Sequence, residues 1–210
     1  IERALEQLAT RQRVERLSLG VVGTFAQGFL FERLPAFEAA HPGIQLRVLT
    51  HNNRVDLLAE GLDAAIRFGD GAWRSEAAQA LMAAPLAPLC AAATARRLRE
   101  PADLRGALLL RSFRASDWEA WAEAAGVDLP PPRGAQFDSS VLMVQAALAG
   151  EGVALAPPCM FERELREGRL VQPFACGVDV GRYWLTWPLG RPMPDALERL
   201  RAWLLRTMPP

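Results

Sequence analysis

The chain carries two histidines, three cysteines and no lysine; every basic side chain is an arginine. Schiff-base chemistry and a P-loop phosphate cradle both need lysine, so neither is open to it. His41 and His51 lie in or beside loops, with no serine or cysteine nucleophile motif next to them, and G-x-S-x-G does not occur. Cys90, Cys159 and Cys176 are widely spaced and odd in number, and C-x-x-C and H-x-x-x-H spacings are absent. They read as small apolar residues of a reducing compartment rather than as a disulfide framework or a metal site. Glu32, Glu38 and the pair Glu162 and Glu164 read as solvated helix faces. No catalytic constellation, metal site or cofactor motif emerges.

What remains is binding chemistry. Gly23-Thr24 closes an apolar run, Leu17 to Val22, and opens a helical pattern. A hydroxyl beside the free N–H groups of a helix start makes an anion or amide site, and a threonine there also serves routinely as an N-cap. Gly23 is read as allowing close backbone approach, against an ordinary turn. Asp138, Ser139 and Ser140 precede a helical pattern over Val141–Ala149, and at least one of them is expected to cap it. Tyr183, the single tyrosine, can stack and hydrogen-bond at once or simply fill a packing position. Asp56, in the first turn after Asn52-Asn53, complements a helix dipole. Arg67, Asp70 and Trp73 surround a glycine-rich loop; Arg67 could meet a carboxylate bidentately, but a solvated ion pair is the reading adopted.

These residues must be positioned by an alternation of strands and helices. Leu17 to Val22 reads as a buried strand. Phe29, Leu30, Leu34 and Phe37 repeat at helical spacing until His41-Pro42-Gly43. Ile44, Leu46 and Val48 alternate with Gln45 and Arg47 as a strand. The result is a βαβ unit with parallel neighbouring strands and a right-handed crossover. Ligands in such sheets bind beyond the carboxyl ends of the strands, where Gly23-Thr24 lies. A short helix is expected over Val55–Glu60, strands over Leu62–Phe68, Ala107–Arg111, Val153–Ala156 and Tyr183–Trp187, and helices over Asp117–Ala125, Met160–Arg166 and Asp195–Arg206. The last has Leu197, Leu200, Trp203 and Leu204 as its core side. Residues 78–93 read as strand, proline bend and strand, crossing into a second lobe. The class is α/β.

At 210 residues one or two domains are plausible. Zero formal net charge leaves no overall electrostatic case for nucleic acid on this piece. Ala77 to Ala95 is uncharged and long enough to raise a membrane span, but Pro85, Pro88 and Gln79 favour strand and connector. No charged-then-apolar signal peptide is present. The chain starts at Ile1 inside a helical pattern carrying Ile1, Leu5 and Leu8, so it is read as a fragment with sequence missing upstream.

Three stretches occur in order: His41-Pro42-Gly43-Ile44-x-Leu46, then Gly61-Leu62-Asp63-Ala64-Ala65-Ile66-Arg67-Phe68-Gly69, then Val141–Ala149 followed by Gly-Glu-Gly-Val-Ala-Leu-Ala-Pro. Together they resemble the effector-binding domain of LysR-type transcriptional regulators, over residues 1–207. Gly23-Thr24-Phe25-Ala26, Asn52-Asn53-Arg54-Val55-Asp56, Arg67-Phe68-Gly69-Asp70-Gly71-x-Trp73, Pro85-Leu86-x-Pro88-Leu89-Cys90 and Tyr183-x-Leu185-x-Trp187-Pro188 look most like the subgroup that regulates chromosomal β-lactamase. The glycine-cleavage regulators share Leu-Asp-Ala-Ala-Ile-Arg and a nearby Gly-x-Trp, so that subgroup, with another small effector, stands as the alternative. A periplasmic solute-binding protein shares the architecture and is the other.

The resemblance implies two Rossmann-like lobes of the type II periplasmic-binding-protein kind, joined by two crossing strands. Lobe I would comprise residues 15–90 and 185–210, lobe II residues 91–184, and residues 1–14 the end of a linker helix. A winged helix-turn-helix DNA-binding domain would precede them. The implied ligands are muropeptides, with UDP-N-acetylmuramyl-pentapeptide holding repression and 1,6-anhydro-N-acetylmuramyl-peptides releasing it. The family fold sets Ser139 and Ser140 across the cleft from Gly23 and Thr24, so ligand contacts are expected from Thr24, Ser140, Tyr183, Gly23 and Ser139. Asp56 becomes a regulatory position. A cytoplasmic homodimer, tetrameric at full length and without a membrane anchor, is implied; an enzyme is not.

Overall fold

The computed structural model describes residues 14–114 and 116–208. The expected N-terminal helix therefore lies, Val14 aside, outside the described residues.

Strand β1 (Glu15–Val22) leads into a helix, α1, that changes register twice: α over Gly23–Phe25, π over Ala26–Leu30, α over Phe31–Ala40. Strand β2 (Ile44–His51) returns parallel to β1, with Glu15 opposite Ile44 and Val22 opposite His51. This is the βαβ unit that the sequence predicts. Its cause is visible in the burial: Leu17, Leu19 and Val21 are closed to solvent, as are Phe25, Leu30 and Phe37 on the helix that covers them. Val55–Glu60 forms no helix; residues 57–61 make turns, and Gly61 adopts a left-handed φ of 63°. Strand β3 (Ala64–Gly69) pairs parallel with β1. Strand β4 (Glu76–Ala83) is the opposite edge of the sheet.

The chain then changes sheets. Strand β5 (Ala87–Ala91) pairs antiparallel with two strands far along the chain, so the change comes between Ala83 and Ala87, ahead of residue 90. Helix α2 (Ala92–Ala95), a 3-10 turn (Pro101–Gly106), β6 (Arg111–Ser112), α3 (Asp117–Ala125) and β7 (Gln136–Phe137) come next. Helix α4 (Ser140–Leu148), β8 (Ala154–Ala156), a 3-10 turn (Pro158–Met160), α5 (Glu162–Arg166) and β9 (Leu170–Val171) complete the second lobe. Its sheet has the order β8-β5-β9, with β6 and β7 paired separately. The expected strand at Ala107–Arg111 is shorter and later than predicted, with Leu109 only bridging to Val153.

Strand β10 (Arg182–Pro188) carries the chain back and inserts antiparallel between β3 and β4, giving the order β2-β1-β3-β10-β4. Helix α6 (Asp195–Thr207) closes the fold on β1, burying Leu197, Leu200, Trp203 and Leu204. Glu15 Oε1 accepts a hydrogen bond from Ala196 N–H at 3.2 Å, placing a carboxylate at the positive end of that helix. Two passages between sheets, after β4 and before β10, are the crossing connections of a two-lobed fold.

At Gly28 the lobes touch without side-chain padding. A Cβ at Gly28, in the π segment, would stand 2.3 Å from the Met160 carbonyl oxygen and 2.6 Å from its Cα. The backbone of α1 thus lies directly on the 3-10 turn of the second lobe. Nothing in the local sequence asks for glycine there; the contact does. Gly28→Ala is expected to destabilise the domain by about 2 kcal/mol through overpacking. Urea unfolding checks this; a variant as stable as the parent would mean that the two lobes can separate at no cost.

Candidate ligand-binding cleft

A cavity of about 480 Å³ opens between the lobes. Its floor and walls come from the carboxyl ends of β1 and β2, the first turns of α1, the start of α4, Phe68 at the end of β3, and Tyr183 of β10. That is where an open α/β sheet binds ligands. All five sequence-predicted contacts, Gly23, Thr24, Ser139, Ser140 and Tyr183, line it.

The helix starts face each other. A Cβ at Gly23 would stand 3.8 Å from Val141 Cγ2, so α1 and α4 meet at their first turns with room for an ordinary side-chain contact. Among the described residues no backbone lies against Gly23, which leaves its Cα open on that side, whereas Gly28 packs directly on backbone. Neither helix is capped by a side chain. The N-cap of α1 is Val22, and Thr24 is inside the first turn; the N-cap of α4 is Ser139, whose hydroxyl makes no capping bond. The capping roles expected for Thr24 and for one of Asp138, Ser139 and Ser140 are not made. Uncapped N–H groups at two helix starts around one cavity favour an anion or a carbonyl.

Tyr183 is buried, its ring 5.1 Å from Phe25 and 5.2 Å from Phe68. Burial pushes its phenol far above the ordinary tyrosine range; the Cys159 thiol adds to this, while the Arg114 charge and the Thr24 hydroxyl pull the other way. The phenol stays protonated at any physiological pH and serves as a neutral hydrogen-bonding group. Both readings of Tyr183, packing residue and cavity wall, describe the same side chain.

The loop after β2 spans the cleft. Asn53 holds a left-handed φ of 75°, and its amide pairs with the Phe68 backbone, accepting from Phe68 N–H at 2.8 Å and donating to the Phe68 carbonyl. Asparagine tolerates that conformation and here imitates one rung of a strand. Asn52 Nδ2 reaches across to Asp138 Oδ2 at 3.4 Å. His51 Nδ1 accepts from Asn53 N–H at 3.0 Å. Burial, and next the Arg67 charge, lower the His51 pKa from 6.5 to about 4. His51 is thus a neutral cavity residue.

Asp56 is exposed and outside the cavity lining; its Oδ1 accepts from the N–H groups of Leu58 and Ala59 and shapes the turn there. The reading of Arg67 as a solvated ion pair is corrected. Arg67 is buried, donates to Glu76 Oε1 at 2.8 Å and to the Val55 carbonyl at 2.9 Å, and lies 5.5 Å from the Trp73 ring. Asp70 holds its own loop through Ala72 N–H. None of Arg67, Asp70 and Trp73 lines the cavity. Burial pushes the Cys90 and Cys159 thiols up to about 11, which suits apolar filler and not nucleophiles.

Sequence reasoning missed Arg114, which lines the cavity from the second lobe with its guanidinium carbon 4.4 Å over the Phe68 ring. It also missed Phe31 and Leu142, which are 50% and 58% exposed and line the cavity from opposite lobes. Two apolar side chains left exposed beside one cavity could have signalled a rim, but helical periodicity does not tell rim from solvent.

The folded-state pKa of His51 lies below its unfolded value, so the unfolded chain binds the extra proton between the two. Stability from this group is full above pH about 6.5 and is lost as pH falls toward 4, by no more than about 3 kcal/mol. Urea unfolding across that window is expected to show a shallower pH slope for His51→Gln than for the parent; equal slopes would remove His51 as the cause.

Residues 10–209 match the model of the LysR substrate binding domain. The chain is 50% identical over 204 residues to the HTH-type transcriptional activator AmpR of Rhodobacter capsulatus, covering 97% of this chain and 71% of that protein. In structure it resembles the effector domain of AmpR from Pseudomonas aeruginosa, with a TM-score of 0.87 and 50% identity, covering 91% and 94% of the two chains. It also resembles a Citrobacter freundii effector-binding domain carrying Thr→Val, Ser→Ala and Tyr→Phe substitutions, with a TM-score of 0.88 and 44% identity over 91% and 98%.

Proposed function

The chain belongs to the LysR substrate-binding family, as the effector domain of a transcriptional regulator, and on that premise we propose that its cleft senses muropeptides and controls β-lactamase transcription. The observation that carries this reading is the cavity between two uncapped helix starts, with Thr24, Ser140 and the neutral Tyr183 phenol around it. Such a site accepts carboxylates and peptide carbonyls without lysine. The proposed contacts are Thr24, Ser140 and Tyr183, with Gly23 and Ser139 beside them.

The relatedness of the chain supports the choice of site residues. In the substituted Citrobacter freundii domain, the replaced Thr, Ser and Tyr occur in the same order as Thr24, Ser140 and Tyr183, and the last two are 43 residues apart in both chains. At about 480 Å³ the cavity suits a short peptide stem. The sugar, and any nucleotide, would then extend past Phe31 and Leu142. UDP-N-acetylmuramyl-pentapeptide is the proposed repressing ligand and 1,6-anhydro-N-acetylmuramyl-peptides the activating ones. Residues 15–90 with 185–210 and residues 91–184 are the proposed lobes, with the first boundary drawn back so that β5 joins the second lobe and the last so that all of β10 joins the first. Asp56 is a regulatory position at the turn following the Asn52-Asn53 loop.

The regulator is further proposed to act in the cytoplasm, to bind DNA through an N-terminal helix-turn-helix domain, and to assemble through lobe I of one chain against lobe II of another. That gives a dimer of this domain and a tetramer at full length. A ligand changes transcription only if it prefers one arrangement of lobes or subunits over another.

Calorimetry with UDP-N-acetylmuramyl-pentapeptide is expected to show binding that each of Thr24→Val, Ser140→Ala and Tyr183→Phe weakens by about threefold to tenfold, the worth of one hydrogen bond. Unchanged affinity in all three would remove the site. Sedimentation of the domain is expected to give a dimer, and a monomer at high concentration would contradict the assembly.

A further inference from the structure

We propose that Arg114 is the residue that selects a carboxylate in this cleft, distinguishing an anionic ligand from its neutral amide. The inference rests on the muropeptide reading and deepens it.

Among the described residues lining the cavity, Arg114 is the one cation and Asp138 the one anion. The other polar groups are hydroxyls (Thr24, Thr50, Ser139, Ser140, Tyr183), side-chain amides (Gln27, Asn52, Asn53) and the neutral imidazole of His51. Hydroxyls and amides accommodate a carboxylate or a carboxamide about equally well, because each can either donate or accept. A guanidinium only donates, so it favours the carboxylate.

Arg114 is also held ready. Its Nε donates to Asp117 Oδ2 at 2.8 Å, and Asp117 is buried at the start of α3. The Ser112 hydroxyl accepts from Arg114 N–H at 3.1 Å and donates to the Arg114 carbonyl at 3.0 Å, fixing the backbone beneath it. The guanidinium carbon lies over the ring of Phe68, 4.4 Å from its centre, and Phe68 belongs to the other lobe. Nη1 and Nη2 donate to no group among the described residues, and the side chain remains 26% exposed. The end-on edge of the fork is therefore unengaged, while Nε is held by the ion pair and the guanidinium carbon lies over an aromatic ring. This is the geometry of bidentate carboxylate recognition, which a lysine does not reproduce.

A muropeptide offers carboxylates at its peptide terminus and within the stem, and the test separates them. Calorimetry uses three probes: UDP-N-acetylmuramyl-pentapeptide, its C-terminal amide, and the form amidated at the internal carboxylates. The parent domain is expected to bind the free acid at least about tenfold more tightly than one of the two amidated forms, which identifies the carboxylate read. Arg114→Gln is expected to abolish most of that ratio, and Arg114→Lys, with charge but no fork, to restore part of it. The ratio within one variant does not depend on the fraction of protein that is folded. A parental ratio that survives in Arg114→Gln, or equal binding of all three probes by the parent, overturns this inference and leaves the muropeptide reading standing. No binding of any probe by the parent overturns both.

Discussion

The structure depends on one backbone-to-backbone contact between the lobes, the seat of Gly28 against Met160. It lies in the π segment of α1, where Phe31 N–H bonds to the Ala26 carbonyl instead of to that of Gln27. A π turn widens the helix and rotates the next turns about its axis, and such turns occur often at functional sites. Here the wider turn coincides with the stretch that gives Ala26 and Gln27 to the cavity wall and Gly28 to the lobe contact. Pro35 lies in the next part of the same helix and cannot donate to the carbonyl of Phe31. The helix is thus irregular through its first half, while Phe25, Leu30 and Phe37 stay buried.

The cleft is spanned by more than that contact. Asn52 meets Asp138 at the rim, and Arg114 lies over Phe68 deeper in. The first is between exposed groups at 3.4 Å and is weak, as a marginal hydrogen bond open to water must be. The second is partly desolvated and stronger. The lobes are joined through the two crossing connections, and these side-chain contacts and the Gly28 contact all favour the arrangement seen. A ligand that satisfies both helix starts would add to the same side of the balance, which is the differential affinity that a switch requires.

Much of this was legible in the sequence, and for a definite reason. The β1–α1–β2 unit is specified locally: a strand buried on both faces, a helical stripe, a His-Pro-Gly stop and an alternating strand. Residues at its tip could then be picked out because parallel sheets bind ligands there. Ser140 and Ser139 needed the family fold, since no local feature says that two helix starts separated by most of the chain face each other. The missed features are non-local in the same way. Arg67 read as solvated because it borders a glycine-rich loop with Asp70, yet its environment is set by Glu76 and the Val55 carbonyl. Val55–Glu60 read as helix because it holds good helix formers; Asp56 does cap one turn, which Glu60 N–H closes on the Asp56 carbonyl, but left-handed Gly61 ends it before a helix extends. Gly28 carries no local signal at all; its need for glycine comes from Met160, which is far along the chain.

Arg114 shows most clearly where local reading stops. In sequence it is one of many arginines in a neutral chain, preceded by Phe113 and followed closely by Asp117, and nothing distinguishes it from a surface i,i+3 pair. In the fold, Asp117 is buried, so the pair is anchored rather than loose, and the stacking partner comes from the other lobe. An anchored guanidinium loses less freedom when it binds than a solvated one, and its charge is less screened in a narrow cleft. The chain has no lysine to supply a competing point charge. Selection for a carboxylate in this cavity therefore falls on a planar fork whose orientation was fixed before any ligand arrived, and orientation, not charge alone, is what such a site can use to tell one end of a peptide from another.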